Sequence, residues 1–114
     1  MVLAKAITEK NSFFRMRFNP KVECIQHFDE EVASSYVEES FLRKHRDFLQ
    51  EGSIHISMKQ HKDRKNDDYL ITCQIRVSSV QGVMYATDAG YGYLVALKHA
   101  LNTLEHQLQK SKNE

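Results

Sequence analysis

Apolar and polar positions alternate in three stretches of the chain, and each stretch predicts a β-strand. The stretches are Phe13 to Phe18, Ser53 to Lys59 and Tyr69 to Val77. Because successive side chains of a strand point to opposite faces, this pattern predicts a sheet with one buried and one polar face. A fourth, shorter strand is predicted over Val83 to Ala86, after a turn that ends at Gly82.

The C-terminal stretch has a helical period instead. Its apolar residues are leucines that recur every three or four positions, namely Leu94, Leu97, Leu101, Leu104 and Leu108. This spacing puts the leucines on one stripe of an amphipathic helix, which should pack on something flat and apolar, and a sheet fits that need. The glycines of Gly90-Tyr91-Gly92 are read as the turn from the last strand into this helix.

Another helix is predicted between the first two strands. Asp29 can cap it, because its carboxylate can accept the free N–H groups of the first turn. The helix should run to about Phe48, and Gly52 can end it by taking a positive φ.

The resulting order, β-α-β-β-β-α, belongs to the α+β class. The last three strands have short connections and must form an antiparallel meander, whereas the first can lie parallel to the second through the helical crossover. Both helices should pack on one face of the four-stranded sheet and leave the other open. The polar segment Gln60 to Asp68 is expected to be an exposed, mobile connection.

The 114 residues predict one domain over residues 13–114, preceded by an arm of residues 1–12 that lacks a clear period. No apolar run approaches the roughly 20 residues of a membrane span, so a cytoplasmic protein is expected. Cys24 and Cys73 form no paired motif and are expected to be buried, reduced thiols.

Charge is distributed unevenly, although the formal net charge is only +1. Residues 53–114 hold eight Lys and Arg against six Asp and Glu, and four of the basic residues fall within seven positions. These four are Lys59, Lys62, Arg64 and Lys65. Any binding of nucleic acid must therefore come from local clusters and not from bulk charge.

No catalytic constellation is found in the sequence. Gly90-Tyr91-Gly92 lacks the rest of a dinucleotide fingerprint, and His99 and His106 are about 10 Å apart along a helix, too far to share one zinc ion. The pair Asp67-Asp68 is best read as a solvated turn. The chain is predicted not to be an enzyme, with no cofactor, no metal and no small-molecule substrate.

Several segments resemble the family of ribosome hibernation factors, which includes the short hibernation-promoting factor and the ribosome-associated translation inhibitor. The resemblance is carried by Val83 to Thr87, by Gly90, by Ala96-Leu97 and by Leu104-Glu105-His106-Gln107-Leu108 with the lysines that follow. Upstream, Ile56 to Lys62 is similar to the second strand of that family, which carries two lysines at this spacing.

The resemblance implies binding in the cleft of the small ribosomal subunit, over the sites of messenger and transfer RNA, so that idle ribosomes are held inactive. Lys and Arg would contact the phosphates of ribosomal RNA, and affinity would fall with salt. Eleven residues are expected to make these contacts. They are Lys59, Lys62, Arg64, Lys65 and Arg76 on the sheet side, Lys98, Lys110 and Lys112 on the last helix, and Arg43, Lys44 and Arg46 on the first.

Three alternatives stay open. A general double-stranded RNA-binding module has a related order of elements, but its usual basic cluster at the start of the final helix is replaced here by Asp88 to Tyr93. A protein-interaction or dimerising domain could use the open face or a sheet edge. A small enzyme of ferredoxin-like build comes last.

Tyr91 and Tyr93 could stack on bases, although packing in the core or the turn is their more ordinary use.

Overall fold

The computed structural model describes residues 14–63 and 68–113, apart from the side chains of residues 62, 63 and 68. The strands are β1 (Phe14–Phe18), β2 (Gly52–Asp63), β3 (Asp68–Ser79) and β4 (Gly82–Tyr91). The helices are α1 (Glu30–Val37), α2 (Arg46–Leu49) and α3 (Tyr93–Asn113), with a 3-10 turn at Pro20–Cys24 and a π-helical turn at Glu38–Leu42. The predicted arm of residues 1–12 lies outside the described residues.

The four strands form one mixed sheet in the order β1-β2-β3-β4. β1 runs parallel to β2, which is reached through the helical crossover, and β2, β3 and β4 are antiparallel neighbours. The predicted α+β class and the predicted strand directions are therefore confirmed.

The crossover is helical but is not the single helix that was predicted. Asp29 caps it as expected, since its Oδ1 accepts a hydrogen bond from the Val32 N–H at 3.1 Å. The backbone then widens into the π turn, where the Arg43 N–H donates to Glu38 O at 2.8 Å. Phe41 and Leu42, which are neighbours within this turn, are both buried.

Gly52 does not end this helix, contrary to the prediction. The last helical segment stops at Leu49, and Gln50 takes the positive φ, 61°. Gly52 begins β2 instead, where an added Cβ would lie 1.9 Å from Ser78 O in β3. Glycine is needed at this position because the two backbones approach each other too closely for a side chain.

Strands β2 and β4 are longer than the stretches of sequence that predicted them. Residues 60–63 continue β2 and pair in register with β3, for example Gln60 with Ile71, so the prediction of a mobile connection over these residues is wrong. Hydrogen bonding between the strands is enough to extend the ladder, whether or not apolar side chains cover both of its faces. β4 likewise runs on to Tyr91, through residues that were read as a turn.

The helices pack on the face of the sheet that carries Ile54, Ile56 and Ile75, all fully buried. Leu97, Leu101, Leu104 and Leu108 are buried as predicted, while Leu94 is half-buried. α3 approaches β4 closely at Gly90, where an added Cβ would lie 2.7 Å from Val95 Cγ1. This close contact fixes the long helix across the sheet.

The two cysteines lie in different environments. Both are free thiols, as expected, but Cys24 is exposed at the end of the 3-10 turn and only Cys73 is buried. The prediction that both are buried is thus wrong for Cys24, because the turn has no period that reveals which side faces the core.

Candidate nucleic-acid interface

The face of the sheet opposite the helices is formed by the outward side chains of all four strands. In β1 the alternation buries Phe14, Met16 and Phe18 partly against the core and leaves Arg15 and Arg17 exposed on the other side. The same period-two pattern turns His55 and Lys59 of β2 and Arg76 and Tyr85 of the next two strands outward. These outward residues are called the open face below.

The strand register aligns the open-face residues into rows across the sheet. Arg17 of β1 is opposite His55 of β2, His55 is opposite Arg76 of β3, and Arg76 is opposite Tyr85 of β4. Neighbouring strands are about 4.8 Å apart, so this row carries two guanidinium groups, an imidazole and a phenol over roughly 14 Å. Arg15 lies in the next row, opposite Ser53.

Among the open-face residues whose side chains are described, none is Asp or Glu. The one acidic residue within β4, Asp88, alternates to the helix side and is half-buried there. Its Oδ2 accepts a hydrogen bond from Thr103 of α3 at 3.1 Å. The described side chains of the open face thus carry a local excess of positive charge, although the chain as a whole is close to neutral.

Sequence reasoning placed Lys59 and Arg76 on the sheet side, and the structure brings both to the open face, where both are exposed. Lys59 is four residues from His55 along β2, about 13 Å. Arg15 and Arg17 were missed, although their signal was present. They alternate with Phe14, Met16 and Phe18, so they had to lie on the face opposite the core.

The hairpin between β2 and β3 carries the remaining predicted residues of the sheet side. Lys62 lies in β2 opposite Tyr69, and its side chain is outside the described part of the structure, as are Arg64 and Lys65 entirely. Their role in binding stays a prediction.

The other six predicted residues lie on the helix side of the molecule, away from Lys59 and Arg76. Arg43, Lys44, Arg46, Lys98, Lys110 and Lys112 are all exposed. Several of them have partners within the protein. Lys98 Nζ lies 5.5 Å from the centre of the Tyr36 ring, and Lys44 Nζ lies 3.8 Å from Glu105 Oε1. We call this surface the helix layer.

A three-residue network ties the end of α3 to the crossover. The buried ring of His45 has its Nε2 at 2.8 Å from both carboxylate oxygens of Glu105 and its Nδ1 at 3.0 Å from Lys112 Nζ. Because an ammonium group can only donate, Nδ1 accepts from Lys112 and Nε2–H donates to Glu105. Lys112 Nζ also lies 5.2 Å from the centre of the Phe48 ring. Lys112 is therefore committed to an internal structural role.

Two pKa values are shifted on the helix side of the sheet. Partial burial by itself would raise the pKa of Glu105, but the hydrogen bond from His45 and the nearby charge of Lys44 outweigh it and hold this pKa below its ordinary value. Burial, with a smaller contribution from the charge of Asp88, raises the pKa of the Cys73 thiol to about 12. Cys73 is therefore a packing residue and not a nucleophile.

The described part of the chain shows neither a candidate metal centre nor a candidate membrane-spanning helix. No group of three His, Cys, Asp or Glu side chains there is arranged to hold a metal ion. Among the described helices, none combines the length and the apolar character that crossing a membrane requires.

Fold and surface together define an α+β domain with its helices on one face of a mixed sheet and a polar, basic face left open. Comparison with protein-family models gives the particular family: residues 20–114 match the model described as "Hibernation factor Hib, C-terminal domain". The chain belongs to this hibernation factor family, which confirms the resemblance noted from the sequence. Comparison with curated proteins gives no match.

Members of this family are ribosome-associated and non-catalytic. Membership supports a role in ribosome hibernation and in the regulation of translation. The residues by which this chain would contact the ribosome follow from its own surface.

Proposed function

We propose that the protein binds ribosomal RNA of the small subunit in the cleft used by messenger and transfer RNA, and blocks translation there by occupying that space. The observation that carries the proposal is the open face, which presents Arg15, Arg17, Lys59 and Arg76 without a described carboxylate among them. Family membership supplies the ribosome as the partner, and the surface supplies the chemistry of the contact.

Such a face suits the backbone of folded RNA better than it suits free bases. Guanidinium groups make two parallel hydrogen bonds to a phosphate and need no particular base sequence. The row from Arg17 to Arg76 lies on a sheet, so the backbone positions of these donors are fixed before binding, whereas their exposed side chains become ordered on the RNA. Duplex-rich RNA is recognised in this way, largely by shape and backbone.

The helix layer supports a secondary contact. Arg43, Lys110 and Lys98 are exposed there and could reach a second RNA segment if the protein is wedged into a cleft. Lys44 and Lys112 are weaker candidates because Glu105 and His45 already lie against them. A domain with basic residues on both faces can contact both walls of such a cleft. By filling the cleft it would exclude messenger and transfer RNA sterically, and we propose that it does so in the cytoplasm.

Co-sedimentation tests the proposal directly. Purified protein is mixed with small subunits, large subunits and whole ribosomes and spun through a gradient at low and at raised salt. We expect stoichiometric binding to the small subunit that weakens steeply with salt, together with inhibition of translation in a cell-free assay. Absence of small-subunit binding at low salt would overturn the proposal.

A quadruple variant tests the basic cluster that runs from Lys59 on the open face into the hairpin. Replacing Lys59, Lys62, Arg64 and Lys65 together by Glu should abolish binding and leave the melting temperature unchanged, because exposed charges contribute little to stability. Persistent binding of this variant to the small subunit at physiological salt would show that these four residues are not part of the interface.

One observation favours a second candidate, a protein-interaction domain. Val83 and Tyr85 are 55% and 54% exposed on β4, a strand at the edge of the sheet. An exposed edge with apolar side chains can pair with another chain. Salt-insensitive self-association in the ultracentrifuge, with no ribosome binding, would favour this candidate instead.

A further inference from the structure

A pocket of about 410 Å³ lies at one end of the sheet, on the helix side. It exists because β2 and β3 continue to Asp63 and Asp68, whereas the helix covering that end, α3, begins only at Tyr93. The start of α3 forms one wall. The loop between the 3-10 turn and α1 forms another, through Gln26 and His27.

We propose that this pocket binds one unstacked nucleobase of single-stranded RNA. The inference rests on the proposed function, because it assumes that RNA is the ligand of the protein. It assigns the pocket a contact that the open face does not make, namely with a base instead of with phosphates.

The lining matches the chemistry of a base. It combines the tyrosines Tyr69 and Tyr91 with the amides Gln26 and Gln60, and none of its residues is Lys, Arg, Asp or Glu. Phosphate would find no cation there, and a cationic ligand would find no carboxylate. A neutral, planar, heteroaromatic ring can stack on a tyrosine and exchange hydrogen bonds with amides, which is the usual way in which proteins hold unpaired bases.

The polar groups of the pocket are held in position. Gln60 Oε1 accepts a hydrogen bond from the backbone N–H of Gln26 at 2.8 Å, which orients the Gln60 amide and leaves its NH₂ as the donor of that side chain. His27, the next residue in the loop, has a φ of 62°. Such a left-handed conformation is uncommon outside glycine. It turns the backbone of the loop at the point where the loop forms the wall of the pocket.

The position of the pocket relative to charge also fits RNA. Lys59 and His61 flank Gln60 in β2 and alternate to the open face, and both are exposed. Tyr91 ends β4 at the same end of the sheet, opposite Leu70, and is 46% exposed. A strand whose phosphates lie along Lys59 and His61 would pass this end of the sheet, where one base could turn inward. Charge complementarity thus favours RNA over an apolar side chain of a protein partner.

Titration of isotope-labelled protein with the four nucleosides, followed by NMR, tests the proposal. Nucleosides carry no phosphate, so the open face does not contribute to their binding. We expect saturable shifts at the amides of Gln26, His27 and Gln60 that do not change with salt. Tyr91→Ala or Gln60→Ala should weaken the binding roughly tenfold, as expected for loss of one stacking or edge contact.

Tyr85→Ala is the matched control, because Tyr85 is a comparably exposed tyrosine on the same strand but outside the pocket. It should leave nucleoside binding unchanged. Absence of nucleoside shifts, or equal loss in Tyr85→Ala and Tyr91→Ala, would overturn the inference. So would shifts of the same amides by N-acetyltyrosinamide but not by nucleosides, since this result would assign the pocket to a peptide side chain.

The two proposals fail separately in these experiments. Small-subunit binding without nucleoside binding would leave the proposed function standing and remove the base pocket. Nucleoside binding without small-subunit binding would leave the base pocket standing and remove the proposed function.

Discussion

The open face and the helix layer both carry basic side chains, but among the described residues the two surfaces differ in the partners that these side chains have. In the helix layer, Lys44 and Lys112 lie against Glu105 and His45. On the open face, the described residues around Arg17 and Arg76 include no carboxylate. The number of basic residues on a surface is therefore a poor guide to its capacity to bind RNA, because some of them already have partners within the protein.

The difference follows from the topology. The helix layer joins segments that are distant in sequence, and acids from one segment meet bases from another, as Glu105 meets Lys44. The open face is built from outward positions of the strands, and the one acid of β4, Asp88, alternates to the helix side. We expect the two surfaces to respond differently to mutation, with stability depending on one and binding on the other.

The largest effect is expected in the core beneath the helix layer. Leu104→Ala removes a fully buried side chain of α3 and should lower the free energy of unfolding by about 3 kcal/mol, with a fall in melting temperature of roughly 10 °C or more. Thermal unfolding measured by circular dichroism checks this. Val83→Ala, on the open face, is the control and should change stability little. Comparable losses in both variants would remove the distinction between the two surfaces.

Charge reversal on the open face should have the next largest effect, this time on binding. Arg17→Glu with Arg76→Glu should weaken small-subunit binding roughly a hundredfold at low salt, because phosphate contacts are replaced by repulsion. The melting temperature should stay within about 2 °C of wild type.

The matched variant in the helix layer is Lys98→Glu with Lys110→Glu, which changes the net charge by the same amount. It should weaken binding much less in the same sedimentation assay. An equal loss in the two double variants would mean that net charge, and not the open face, controls affinity.

The network around His45 predicts a smaller, pH-dependent effect on stability. Because the pKa of Glu105 is lowered in the folded protein, its carboxylate stabilises the fold above its unfolded pKa of about 4.3. This contribution is lost as the pH falls through the folded value. Glu105→Gln should therefore lower the melting temperature at pH 7, and the difference from wild type should narrow below about pH 4.5. A difference that stays constant down to pH 3 would contradict a role for the ionised group.

The smallest effect concerns the contact between Lys98 and the Tyr36 ring. Lys98→Ala removes an exposed cation–π contact and should cost about 0.5 kcal/mol in chemical denaturation. Small-subunit binding should change by less than about threefold if the helix layer is secondary. A larger loss of binding would make Lys98 a direct RNA contact.

Local periodicity was enough to predict the main elements of the fold. The leucine stripe of α3 and the alternation of β1, β2 and β3 led to the correct class and strand directions. The π turn at Glu38–Leu42 could not be predicted, because it contains no Pro or Gly that would mark an irregular helix. The extension of β2 over residues 60–63 was missed for a related reason, since it depends on pairing with β3 and not on its own apolar residues.

The site was predictable in part for the same reason. Arg15 and Arg17 could have been assigned to the open face from their alternation with Phe14 and Met16. The partnership of His45 with Glu105 spans 60 positions, and no local pattern indicates it. The pocket around Gln26 and Gln60 likewise joins segments 34 positions apart, so it required the structure.

The close approach of β2 and β3 at Gly52 predicts which amino-acid substitutions the chain tolerates at its glycines. Any side chain there would meet the carbonyl of Ser78, so a selection for folded variants should return glycine alone. At Gly82 and Gly92 an added Cβ meets nothing within 4 Å, and only the positive φ values of 113° and 94° oppose it. Asparagine and aspartate, which tolerate such φ values better than most residues, should survive at these two positions. Two glycines of the sheet and one that follows it would thus show two distinct profiles of allowed residues.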